Sequence, residues 1–150
     1  MRVSTRGEYG LRAMLELARL YGNGPIPLKQ IAGRQKVSEH YLEQLMSALR
    51  KAGLVASVRG AQGGYALARP PEEIYVGDVL RVLEGSIELE WDEREPLGAE
   101  PHYLPMFATR RLWRELNARI VQLVDSLTLA ELLAWGEQDQ AAQREYVYYI

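Results

Sequence analysis

Residues 28–68 read LKQIAGRQKVSEHYLEQLMSALRKAGLVASVRGAQGGYALA. Leu28, Ile31 and Ala32 fall at helical spacing in a short segment ending near Gln35, and a second helix follows after Lys36 and Val37. Ser38 suits its N-cap, because a serine hydroxyl accepts from an orphan amide of the first turn. Leu42, Leu45, Met46 and Leu49 then recur at i, i+3, i+4, i+7 as one apolar stripe. His40, Glu43, Gln44, Ser47 and Lys51 occupy the other side. This helix therefore buries one face and offers a polar one.

Gly53 stops the second helix, and Leu54 to Val58 forms a β-like run. It turns through Arg59-Gly60-Ala61-Gln62-Gly63-Gly64 into Tyr65-Ala66-Leu67, where glycines tolerate the positive φ values of a hairpin tip. Two helices at a tight turn followed by a basic, glycine-tipped hairpin make a winged helix-turn-helix. The expected fold is mainly α with a small β-hairpin wing. Such a unit lays its second helix in the DNA major groove and sends the hairpin along the backbone or into the minor groove. The candidate base readers are Ser38, Glu39, His40, Tyr41, Glu43 and Gln44, since Gln bonds adenine bidentately and Glu accepts from cytosine N4. Arg59, Gly60, Gly63 and Gly64 are the candidate wing contacts, and Arg2, Arg6 and Arg12 are available for phosphates. A lone histidine is more often a satisfied surface or core group than a ligand, so His40 is assigned no metal.

Residues 38–85, SEHYLEQLMSALRKAGLVASVRGAQGGYALARPPEEIYVGDVLRVLEG, and the opening MRVSTRGEYGLRAM resemble the Rrf-two (BadM/IscR-like) family of winged-helix transcriptional regulators. The resemblance spans nearly the whole chain except about residues 86–105, and it is greatest to the family's cysteine-metabolism repressors. It supports Ser38, Tyr41 and Glu43 for DNA contact and places Arg59 at the wing tip. Iron–sulfur members carry cluster cysteines ahead of the long C-terminal helix, where this chain offers Pro101 and Phe107. A thiolate-held cluster is chemically impossible without cysteine, and the chain has none. No cofactor and no metal are expected.

Composition agrees. A chain of 150 residues, 47% hydrophobic, suits one domain with an appended oligomerisation element. The net charge of −2 hides a division: residues 1–69 carry 11 Lys and Arg against 4 Asp and Glu, and residues 70–150 carry 7 against 16. Only the first part is suited to a polyanion, although such charges also serve to keep faces solvated. No early apolar run is long enough for a signal peptide or a membrane span, so a cytoplasmic protein is expected. With no Cys and only His40 and His102, no constellation meets the roles of an enzyme active site.

The chain divides as 1–85, the DNA-binding unit; 86–105, an acidic flexible loop; and 106–150, a dimerisation helix and tail. The first helix should run from about Gly7 to Tyr21. After the stiff Arg69-Pro70-Pro71 connector, a short helix spans about Gly77 to Leu83. Glu88, Glu90, Asp92, Glu93 and Glu95 crowd the loop but lack the spaced ligands and turn glycine of a calcium site. In the helix from about Met106 to Ser126, Thr109, Trp113, Leu116, Ile120, Leu123 and Leu127 recur at steps of four and three, a heptad seam. Spacing alone also permits a core helix of the same subunit; the resemblance implies a homodimer through this helix. A last helix runs from Leu129 to about Gly136. The closing Tyr-Val-Tyr-Tyr-Ile could pack as a strand or cover the core. Resemblance to the cysteine-metabolism repressors, and to the C-terminal isoleucine by which serine acetyltransferase enters cysteine synthase, makes Tyr149 and Ile150 candidates for docking cysteine synthase (O-acetylserine thiol-lyase). The expected function is a sequence-specific DNA-binding repressor of cysteine or sulfur metabolism genes, with that enzyme as co-regulator. The alternatives are a family regulator that senses another signal without a cluster, and a protein-interaction adaptor on the same fold.

Overall fold

Helix α1 spans Thr5–Arg19, two residues ahead of the expected Gly7–Tyr21 at each end, because Ser4 caps it: the Ser4 hydroxyl accepts from the Gly7 amide at 3.4 Å. Ser4 in turn donates from its amide (3.0 Å) and its hydroxyl (2.7 Å) to Glu84 Oε1, fastening the chain's start to the end of a later helix. The computed structural model describes residues 2–148. Its further elements are α2 (Leu28–Gln35), α3 (Glu39–Lys51), β1 (Val55–Val58), β2 (Gly64–Leu67), a 3-10 turn (Pro71–Glu73), α4 (Val76–Glu84), α5 (Leu104–Ser126) and α6 (Leu129–Tyr148).

The core lies among α1, α3 and α4. Met14 and Leu17 of α1, Val79 and Leu83 of α4, and the α3 stripe Leu42, Leu45, Met46 and Leu49 are buried. Each large side chain removed from water there contributes about 1.5–3 kcal/mol. Strands β1 and β2 form one antiparallel hairpin in the register Val55↔Leu67 to Val58↔Gly64. The hairpin is docked to the body by a bridge: Ile26 donates its amide to the Tyr65 carbonyl (2.8 Å) and accepts from the Tyr65 amide (2.9 Å). Gly64, at φ +153°, permits this approach, since a Cβ there would stand 2.1 Å from the Ile26 carbonyl oxygen.

A second bridge, Tyr75↔Thr128, joins the start of α4 to the junction of the two C-terminal helices, with the Val76 amide donating to Leu127 O and the Leu129 amide to Ile74 O. Beside it Arg81 grips Asp125 with two bonds, 2.6 and 2.8 Å. Helix α5 starts at Leu104, ahead of the expected Met106, because Pro105 falls in its first turn, where a missing N–H costs nothing. No residue of α5 is buried. Thr128 caps α6 by accepting from the Glu131 amide at 3.1 Å. The expected end at Gly136 is wrong: α6 continues to Tyr148, and Tyr146 to Tyr148 are helical rather than a strand. The run Glu137–Arg144 has no apolar stripe, but its Ala, Gln, Glu and Arg are good helix formers.

The acidic segment is irregular over most of its length, yet its first part is tied down. Ile87 is buried, and the Leu89 amide donates to Asn117 Oδ1 of α5 at 2.8 Å. Arg110 of α5 donates to the Glu93 carbonyl at 2.9 Å.

Candidate nucleic-acid interface

Helix α2 ends in a left-handed residue, Lys36, at φ 55° and ψ 44°, and the Val37 amide reaches back to Ala32 O at 3.1 Å. This Schellman closure makes the sharp turn that presents α3. Ser38 then caps α3 by accepting from the Tyr41 amide at 3.1 Å. The cap sets the first turn of α3 outward, with Glu39, His40, Glu43 and Gln44 exposed along one face. Gln44 Nε2 lies 3.3 Å from His40 Nε2, an i,i+4 contact in which the amide donates when the imidazole proton sits on Nδ1. These side chains offer both donors and acceptors, as base edges require.

Tyr41 is placed differently from its neighbours. Its ring meets Tyr9 edge-on at 6.1 Å, and its hydroxyl is covered by protein without a hydrogen-bond partner. It faces α1 rather than outward, so its place in the first turn does not make it a base reader. The wing tip carries Arg59 and Gly60 into solvent. Gly63 and Gly64 shape the wing instead: the Gly63 amide donates to Gly60 O at 3.0 Å, and a Cβ on Gly63 would stand 2.2 Å from Val58 O. Arg2 is exposed at the start of the chain, ahead of the Ser4–Glu84 fastening. Arg6 donates to Leu83 O at 3.4 Å and Arg12 pairs with Glu8 at 2.8 Å, so neither is as open to a phosphate as Arg2 or Arg59. Lys36 was not singled out from the sequence, because nothing in its surroundings announces a left-handed lysine.

On α5, Leu116 (40% exposed) and Leu123 (52%) stand open with Trp113 and Ile120 half-buried beside them. The strip next to Trp113 and Ile120 faces the chain's own body through Asn117, Val124 and Asp125, so Leu116 and Leu123 are the members of the seam turned furthest outward. Leu127 does not belong to the seam. It is the C-cap of α5, bonded to Val76 and buried in the intrachain core, where the heptad has already run off the helix. Tyr149 and Ile150 lie outside the described residues.

A capped, outward-facing α3 set by a tight turn and flanked by a basic hairpin defines a DNA-binding winged-helix transcriptional regulator. Comparison with known proteins takes this further. The family model described as Rrf2, iron-dependent transcriptional regulator, matches residues 3–135, and the chain belongs to that family. It is 46% identical, over the full length of both chains, to the HTH-type transcriptional regulator CymR of Bacillus subtilis (strain 168). The solved structure of that protein, described as the global cysteine regulator of B. subtilis, superposes with a TM-score of 0.78 at 47% identity, covering 90% of this chain and 98% of that one. IscR from T. potens gives a TM-score of 0.71 at 48% identity, covering 93% and 91%. These relatives are regulators, and the chain is a transcriptional regulator rather than an enzyme.

The family description names iron, and the donor set tests that. The chain contains no cysteine, and among the described residues no group of three or more His, Asp or Glu could hold a metal ion. The residues present do not fit a thiolate-held cluster. Among the described residues, no helix is long and apolar enough to cross a membrane.

Proposed function

We propose that the chain is a homodimeric, sequence-specific repressor of cysteine or sulfur metabolism genes. The observation that carries the proposal is the joint exposure of the α3 face Glu39–His40–Glu43–Gln44 and the Arg59 wing tip on one basic part of the chain. Gln44, His40, Glu43 and Glu39 read base edges; Arg2, Lys36 and Arg59 neutralise phosphates and hold the register. Ser38, exposed at the N-cap, fixes the start of the reading helix, and Tyr41 positions it from behind. Dimerisation uses Trp113, Leu116, Ile120 and Leu123, and it sets two reading heads about one helical turn of DNA apart or a multiple of it. The sulfur-metabolism assignment is supported by the likeness to the cysteine regulator of B. subtilis. Cysteine synthase is the proposed co-regulator, docking through Tyr149 and Ile150 in the manner of a terminal segment captured in a pocket.

The test is binding to a sulfur-gene promoter fragment at fixed salt, alone, with cysteine synthase, and then with O-acetylserine. Tighter binding with the enzyme, reversed by the metabolite and lost on removal of Tyr149 and Ile150, supports the full reading. Specific DNA binding indifferent to both returns the co-regulator to open status and leaves the repressor.

A further inference from the structure

A concave site of about 280 Å³, lined by no residue of α3 or the hairpin, lies where α1, α2 and α6 meet. Its rim is charged in an uneven way. Arg19 of α1 donates to Glu16 Oε1 at 2.9 Å and Arg34 of α2 forms an ion pair with the same oxygen, also at 2.9 Å, while Arg12 pairs with Glu8 at 2.8 Å. Three guanidiniums thus face two carboxylates, which leaves one positive charge in excess. Each guanidinium has five donors, so all three keep N–H groups to spare. Acceptors are in excess as well: Glu16 Oε2 receives no donor among the described residues, and Gln35, whose Nε2 donates to Tyr9 O at 3.3 Å, leaves its Oε1 covered and without a donor. The floor between them is apolar, formed by Leu15, Ile31 and Leu133.

Spare guanidinium donors, spare acceptors and an apolar floor together match a small zwitterion. We infer that this groove binds a free L-α-amino acid with a short apolar side chain. Its carboxylate takes the Arg12 and Arg34 donors, bidentate geometry being the strength of that pair. Its ammonium donates to Glu16 Oε2 and to Gln35 Oε1, the latter by rotation of the Gln35 amide towards the groove it lines. Its side chain lies on Leu15 and Leu133. A phosphate or a dicarboxylate fits less well, because only one positive charge is uncompensated and Glu16 would repel the second negative one. The rim ion pairs are exposed on the arginine side, and such pairs are weak enough to open for a ligand. Since α2 is the first helix of the helix-turn-helix and α6 the C-terminal helix, one ligand would touch both. The binding itself does not depend on the DNA reading.

The experiment is isothermal titration of the full chain with L-leucine, 4-methylpentanoate, which lacks the ammonium group, and 3-methylbutylamine, which lacks the carboxylate. The expected result is saturable one-to-one binding of L-leucine, weakened about tenfold or more by either truncation and by Arg34→Gln or Arg12→Gln, with partial rescue by Arg34→Lys. Circular dichroism checks that the variants, both at exposed arginines, keep the fold. Equal affinity for 4-methylpentanoate, binding unmoved by both arginine variants, or no saturable heat from L-leucine, L-valine and L-methionine alike would overturn the inference.

Discussion

Replacing Gly64 by alanine should unseat the wing from the body of the protein. The new Cβ would stand 2.1 Å from the Ile26 oxygen, 2.4 Å from the Ile26 carbonyl carbon and 2.7 Å from the Pro27 nitrogen. All three are backbone atoms, so no side chain can swing aside. The residue also has φ +153°, a region that alanine occupies only with strain of about 1–3 kcal/mol. Relief requires breaking the Ile26–Tyr65 pair of hydrogen bonds, each with a net contribution of about 0.5–1.5 kcal/mol. Together these give a loss of roughly 2–6 kcal/mol, or about 4–24 °C in melting temperature for a chain of this size. Gly60→Ala is the internal control: its φ is +113°, but nothing lies within 4 Å of the added carbon, so only the strain remains, about 1–3 kcal/mol. Urea denaturation of both variants reads the difference, and operator titration reads its consequence for the wing. If the two variants lost equal stability, or if Gly64→Ala stayed within about 0.5 kcal/mol of the parent, the docking role of the Ile26–Tyr65 bridge would be refuted.

Lys36→Gly should raise stability by up to about 1 kcal/mol, since glycine accepts the left-handed conformation freely, while weakening DNA binding by loss of a phosphate contact; paired denaturation and binding assays would show these opposite signs, and a gain in both would remove Lys36 from the interface. Leu116→Glu with Leu123→Glu should convert the proposed dimer to a folded monomer in light scattering, because both side chains are exposed in the single chain and contribute little to its own core. Hydrogen bonds from Arg81 hold the Asp125 carboxyl below the usual carboxylate range, so the pair's contribution is complete above about pH 4 and fades as pH falls through the folded value. Both partners are about 40% exposed, and screening limits the effect to about 1 kcal/mol or less. Asp125→Asn should therefore flatten the acid limb of the stability curve slightly, as denaturation at a series of pH values would reveal.

The α3 stripe and the glycine-tipped hairpin were legible because period and turn chemistry act over a few residues, and the buried set Leu42, Leu45, Met46 and Leu49 follows directly from spacing. What escaped depends on distant partners. Helix α1 begins early because Ser4, a cap, is also bonded to Glu84, eighty residues away. Tyr41 turns inward onto Tyr9, a contact that helical spacing within α3 cannot disclose. Leu127 continues the heptad arithmetic, but the chain leaves the helix there to bridge Val76. Helix α6 outran its apolar pattern because propensity alone carries its second half. The groove at Arg34 and Gln35 needed three helices brought together before its charges could be counted.

The proposed division of labour gives base reading to α3 and phosphate holding to the wing. The most direct measurement is the salt dependence of binding to a duplex selected from a random pool, and to a scrambled duplex, for the parent, Gln44→Ala and Arg59→Ala. Gln44→Ala should lose about 1–3 kcal/mol on the selected duplex and little on the scrambled one. Arg59→Ala should weaken both and lower the slope of log affinity against log salt by about one. Parent-like affinity and slope in both variants would contradict the claim and move DNA recognition to another face of the chain.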